Sequence, residues 1–209
     1  MSNTESDPIH VFVAEDQTGP RLALEDALRS HEARDAGITY EGFSGDMNRT
    51  LRVLEEAASG KRNPIDCLIM DGTLADVGKF PPTINSGEGL AIIPARRGVL
   101  GIGRKPEQDP NLVSLDFMRQ DQIKVGCDLR NMTRLVGMMR EKGLPFWNRL
   151  AVVGNSGTPQ KLITEDQALQ PDAVLGKYQL YNDRGTYSPL HVIRTVVDVV
   201  AMRRALAKS

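Results

Sequence analysis

Three carboxylates, one hydroxyl and one ammonium stand where short apolar runs stop. Glu15 and Asp16 follow residues 9–14 (IHVFVA), Asp71 follows 65–70 (IDCLIM), Ser156 follows the run that begins at Leu150, and Lys177 follows the run 173–175. Apolar runs of this length read as strands of a sheet buried on both faces, and in an open parallel sheet functional groups collect at the carboxyl ends of the strands. Carboxylates converging in one crevice repel unless a hard cation joins them. Oxygen ligands with water positions left open suit magnesium, so the pattern asks for Mg²⁺ at Glu15, Asp16 and Asp71. A phosphoryl group arriving at Asp71 would set its oxygens against that ion, the Lys177 ammonium and the Ser156 hydroxyl, which together neutralise the charge in transfer.

The elements that must position these groups can be read from periodicity and punctuation. Gly19-Pro20 opens a helix with Leu24, Leu28 and His31 on one face, closing near Gly37. Residues 38–43 form a weaker alternating strand, and Asp46 can cap a helix carrying Met47, Leu51, Leu54 and Ala58. Residues 128–142 place Leu135, Met138 and Met139 at helical spacing before Gly143 and Pro145. Ser188-Pro189 opens a last helix with Leu190, Ile193, Val197 and Val200 along one stripe. Strands alternating with helices predict an α/β fold, a doubly wound five-stranded parallel sheet with about five helices. The chain of 209 residues reads as a polar tail over 1–8 and one domain over 9–209, interrupted by an insertion at 77–127 between strand three and the next helix. Leu90, Ile92, Ile93, Val99, Leu100 and Ile102 give that insertion too much apolar content for a solvated loop and too little for its own core.

Composition excludes several classes of function. Lys and Arg total 26 against 27 Asp and Glu, a formal charge of -1, so no whole-protein field draws the chain to nucleic acid or anionic lipid. No apolar run approaches the roughly 20 residues of a membrane span. The first eight residues are polar and acidic rather than basic then apolar, so a cytoplasmic location is expected. Cys67 and Cys127 lack metal spacing and read as reduced thiols, and His10, His31 and His191 are too scattered for a zinc site. The stretch GVLGIGRK from Gly98 lacks the ending of a phosphate loop and reads as a glycine-rich turn.

Taken together, the motifs resemble the response-regulator receiver domains of two-component signalling. The resemblance is carried by Glu15-Asp16 after VFVA, the D-x-x-x-x-D pattern from Asp66 to Asp71, Ser156-Gly157 after AVV, and DAVLGK ending in Lys177. It implies a flavodoxin-like receiver fold, with Asp71 as phosphoacceptor and Mg²⁺ held by Glu15, Asp16, Asp71 and the Thr73 carbonyl. It further implies Ser156 as switch hydroxyl, Lys177 as phosphoryl-binding lysine, and Thr73 and Thr158 as positions that tune phosphoaspartate lifetime. A histidine kinase or phosphotransfer protein would be the phosphodonor, output would pass through an altered protein contact, and a homodimer is compatible. Two positions depart from the family: Val174 stands where an aromatic is usual, and Tyr178 where a proline follows the lysine. They sustain an alternative, a pseudo-receiver interaction module outside phosphorylation control. A second alternative is a phosphatase-like hydrolase, since MDGTLAD is similar to the haloacid-dehalogenase motif D-x-D-G-T; Ile69 occupies its nucleophile position, and an aliphatic side chain forms no acyl phosphate. Read singly, Glu15-Asp16 would suit solvated loop acids, Asp71 and Ser156 turn residues, and Lys177 a surface charge.

Overall fold

The computed structural model of the chain describes residues 7–74, 128–157, 170–177 and 189–208. Five strands form one sheet: β1 (Ile9–Ala14), β2 (Ile38–Ser44), β3 (Cys67–Asp71), β4 (Ala151–Ser156) and β5 (Ala173–Gly176). Their order is β2-β1-β3-β4-β5 and every neighbouring pair is parallel, the order of flavodoxin-like sheets. Six helices belong to the described residues: α1 (Thr18–Leu28), α2 (His31–Asp35), α3 (Met47–Ala58), α4 (Asp128–Glu141), α5 (Pro145–Arg149) and α6 (Pro189–Leu206).

The period-two alternation of strand side chains divides the interior into two cores. Phe12, Ala14, Leu68, Met70 and Val152 face Leu51 and Leu54 of α3, Leu135 and Met139 of α4, and Trp147 of α5. Val11, Val13, Ile69, Val153 and Leu175 face Leu24 and Leu28 of α1 and Val192, Val196 and Val200 of α6. A sheet apolar on both faces needs cover on both, which is why the central strands read as unbroken apolar runs. Cys67 sits in the second core as a free thiol, and burial pushes its pKa up.

Several boundaries differ from those expected from sequence. The helix expected over 19–37 is two: the Ser30 hydroxyl accepts from the Ala33 amide at 3.1 Å, starting a new helix after the turn at Arg29. His31 therefore faces solvent and pairs with Asp35 rather than joining the core stripe. The buried stripe of α6 is Val192, Ile193, Val196, Val199 and Val200, while Leu190 is 49% exposed. Asp71 is the last residue of β3 rather than the first beyond it. Asp46 caps α3 as expected, accepting from the Arg49 amide at 2.7 Å. The insertion at 77–127, Cys127, Ser188 and most of the tail over 1–8 lie outside the described residues. Among those described, no helix is long and apolar enough to cross a membrane.

The amino edge of the sheet is closed by an ionic network. The Asp172 carboxylate accepts from Arg140 of α4 at 2.8 Å, from Arg203 of α6 and from the Val152 amide at 2.8 Å. Arg140 also donates to the carbonyls of Trp147 and Leu150. Burial raises the Asp172 pKa, but the hydrogen bonds from Arg203 and Arg140 outweigh it and hold the carboxyl below its usual range. Asp66, the first acid of the D-x-x-x-x-D pattern, belongs to this edge as well, accepting from the His10 amide at 3.0 Å and pairing with Arg204 at 3.3 Å. It is thus a structural residue, roughly 16 Å from Asp71 at about 3.3 Å per strand residue. Replacing Asp172 by Ala leaves two guanidinium groups unpaired and is expected to destabilise the fold by about 3 kcal/mol in urea unfolding. A loss below about 1 kcal/mol would mean that solvent screens the network as it does surface pairs.

Candidate functional site

Strand register builds the site. Ala14 pairs with Met70 and Met70 with Gly154, so the next residues, Glu15, Asp71 and Asn155, stand in one row across β1, β3 and β4. Two residues behind them Val13, Ile69 and Val153 pack into the second core, so by the period of the strand these three polar groups rise on that same side. Leu175 extends the row on β5, and Lys177 comes two residues later with a stem long enough to reach back over β4.

Lys177 Nζ donates to Asp71 Oδ2 at 2.8 Å and to Glu15 Oε1 at 3.0 Å. Glu15 is wholly buried, and its Oε1 also accepts from the Gln17 amide at 3.1 Å while Oε2 accepts from Asn155 Nδ2 at 2.9 Å. The reading of Glu15 as a solvated loop acid does not hold. One ligand atom each from Glu15, Asp16 and Asp71 lies within 4.8 Å of the others. Oδ1 of Asp16 is buried with no hydrogen-bond partner among the described residues. Asp71, Gly72, Thr73, Ser156 and Lys177 line an open cleft of about 440 Å³ beside the first turn of α1.

Three carboxylates face one ammonium, leaving two formal negative charges uncompensated by that lysine. Burial, then the charge of Asp71, pushes the Glu15 pKa up to about 7 against the partial relief of Lys177 and the Gln17 amide. Burial alone would lower Lys177; hydrogen bonds to Asp71 and Glu15 reverse this and raise it. A cluster of oxygen donors with excess negative charge, one donor atom orphaned, and an open cleft alongside is chemically suited to a hard cation.

The structure therefore brings together Glu15, Asp16, Asp71 and Lys177, with Thr73 and Ser156 on the cleft wall. Thr158 and Tyr178 lie outside the described residues, and Val174 packs half-buried against the first core. Asn155 was not singled out from sequence. Its signal was a polar residue following the apolar stretch 151–153, which GNSG disguises as turn chemistry. Comparison with known proteins adds no relative: no family model matches the chain, and no curated protein or solved structure matches it significantly.

Two measurements check this geometry. Between the ordinary Glu15 pKa of 4.5 and its folded value of about 7, the folded chain binds a proton that the unfolded chain has lost, so stability falls as pH rises through that window. Chelator-treated protein should unfold at lower urea near pH 7.5 than near pH 5, and Glu15→Gln should flatten the slope. Second, if the cluster holds a divalent cation, Asp16→Ala should weaken its binding in calorimetry by more than the roughly tenfold cost of disturbing a ligand's supporting shell. Equal affinity in the variant would remove Asp16 from the ligand set.

Proposed function

We propose that the chain is a receiver-type phosphoacceptor: Asp71 takes a phosphoryl group with Mg²⁺ bound alongside, and the modified site alters a contact with a partner protein. The observation that carries this reading is the hydrogen-bonded triad of Asp71, Lys177 and Glu15, with Asp16 beside it, at the carboxyl edge of a 2-1-3-4-5 parallel sheet. An Asp71 oxygen attacks phosphorus, the bond from phosphorus to the donor's leaving atom breaks, and the leaving group departs with that electron pair. Lys177, already on Asp71 Oδ2, supplies a fixed positive charge to the arriving phosphoryl oxygens, and the Ser156 hydroxyl lines the same cleft. Glu15, Asp16, Asp71 and the Thr73 carbonyl would hold the cation, which when bound offsets carboxylate repulsion and polarises the phosphoryl oxygens.

The phosphodonor in this reading is a histidine kinase or phosphotransfer protein. A phosphatase of the D-x-D-G-T type fits less well, because Ile69 is wholly buried among the α1 and α6 side chains. Val174 supports a modified output: a valine tucked against the first core supplies no aromatic ring to swing when Ser156 is engaged. The interaction-module reading would keep the fold and the contact while leaving Asp71 unmodified.

Incubation with acetyl phosphate and Mg²⁺ should add one phosphoryl group by intact mass, sensitive to hydroxylamine as acyl phosphates are. Asp71→Asn, nearly isosteric, should fold normally and take up none, because an amide forms no acyl phosphate. Labelling that persists in the variant would remove Asp71 as the acceptor, and a parent that takes up nothing while binding Mg²⁺ would leave the interaction-module reading standing instead.

A further inference from the structure

Asn155 makes a contact that strand order alone would not produce. β3 lies between β1 and β4, yet the amide of Asn155 on β4 donates at 2.9 Å to Oε2 of Glu15, the residue just past β1, across the end of the strand that carries Asp71. Asn155 and Glu15 are both wholly buried, so neither side chain has water to replace the other. The bond to a carboxylate is charge-assisted and correspondingly strong. Its geometric effect is specific. With Oε2 fixed by Asn155 and Oε1 held by the Gln17 amide, the Glu15 carboxyl has one orientation, and in it Oε1 accepts from Lys177. Lys177 is thereby shared between Glu15 and Asp71 instead of closing on Asp71 alone. Reach matters as well: an aspartate at position 15 would be one methylene short of Asn155. Oδ1 of Asn155 is itself buried with no hydrogen-bond partner among the described residues, so the amide is kept there with its acceptor side unmet. A buried orphan oxygen costs free energy, and a side chain that carries such a cost without a compensating role would be better replaced by leucine.

We propose that Asn155 is a positioning residue for the cation and phosphoryl site: across β3 it clasps Glu15, sets the orientation of that carboxyl, and so holds Lys177 between Glu15 and Asp71. The inference rests on the receiver-type reading of the same site and names a residue that the pattern of acids, hydroxyl and lysine leaves out. It implies that Asn155 acts on the cation only through Glu15, so that once Glu15 has left the clasp, losing Asn155 as well costs little more.

The test is Mn²⁺ binding to the full chain, followed by electron paramagnetic resonance, for the parent, Asn155→Leu, Asn155→Ser, Glu15→Asp and the double variant Glu15→Asp with Asn155→Leu. Asn155→Leu keeps volume and Asn155→Ser keeps polarity, so a folding failure in one leaves the other to read; far-ultraviolet circular dichroism and urea midpoints identify the folded variants. Each Asn155 variant should bind Mn²⁺ roughly tenfold more weakly, the scale of one hydrogen bond to a charged group, and Glu15→Asp at least as weakly, because it shortens a ligand as well. The double variant should match Glu15→Asp alone, whereas a general loosening of the fold would make the losses multiply. Parental affinity in both Asn155 variants, or losses that multiply, would overturn the clasp and leave the receiver-type reading intact. A parent that binds no Mn²⁺ would overturn both.

Discussion

Crowding of like charge at the end of a parallel sheet is the constraint on which the site depends. Parallel register sets Glu15 and Asp71 side by side, Asp16 follows immediately, and burial strips Glu15 and most of Asp71 of the water that would screen them. Such an arrangement is tolerable only if cations are delivered to it. Lys177 delivers one from β5, on a stem that crosses β4, and the amides of Asn155 and Gln17 add partial positive charge to Glu15. The remaining imbalance shows in the Glu15 carboxyl, whose pKa burial and the Asp71 charge push up to about 7, and in the Asp16 oxygen with no hydrogen-bond partner among the described residues. Both are features that a divalent ion would relieve. The site thus carries unfavourable electrostatics that a bound cation would offset, a form of preorganisation.

The apolar scaffold makes that strain affordable. Two cores, one on each face, fix β1, β3 and β4 with side chains that are almost all wholly buried, so the carboxyl edge cannot splay to separate its charges. The same scaffold explains why β1 and β3 could be read directly as runs: strands covered on both faces leave no polar alternation to confuse with a helix.

Legibility in the sequence followed this physics residue by residue. Glu15, Asp71 and Lys177 stood out because each interrupts or ends an apolar run, and an ionisable group at that position is seldom ornamental. Asn155 was hidden because its neighbours, Gly154 and Ser156, supply a convincing turn; only the register that sets it beside Asp71 reveals its role. The break between α1 and α2 depended on a single serine hydroxyl, and helical periodicity continues smoothly across it. The stripe of α6 shifted because a helix so rich in valine offers more than one apolar face, and packing against α1 and β4 chose among them. Asp66 shares the D-x-x-x-x-D pattern with Asp71, but spacing along a strand measures distance to the far edge of the sheet, not proximity.

That far edge has a consequence for the two ends of the domain. Arg204, near the end of α6, donates to the carbonyls of Asp7 and Pro8 just before β1, joining positions almost two hundred residues apart. The domain is therefore nearly a closed ring, its two ends meeting on the side away from the cleft. Strain or cleavage at either the entry to β1 or the end of α6 would thus be felt at the other, while the cleft lies at the opposite edge of the sheet.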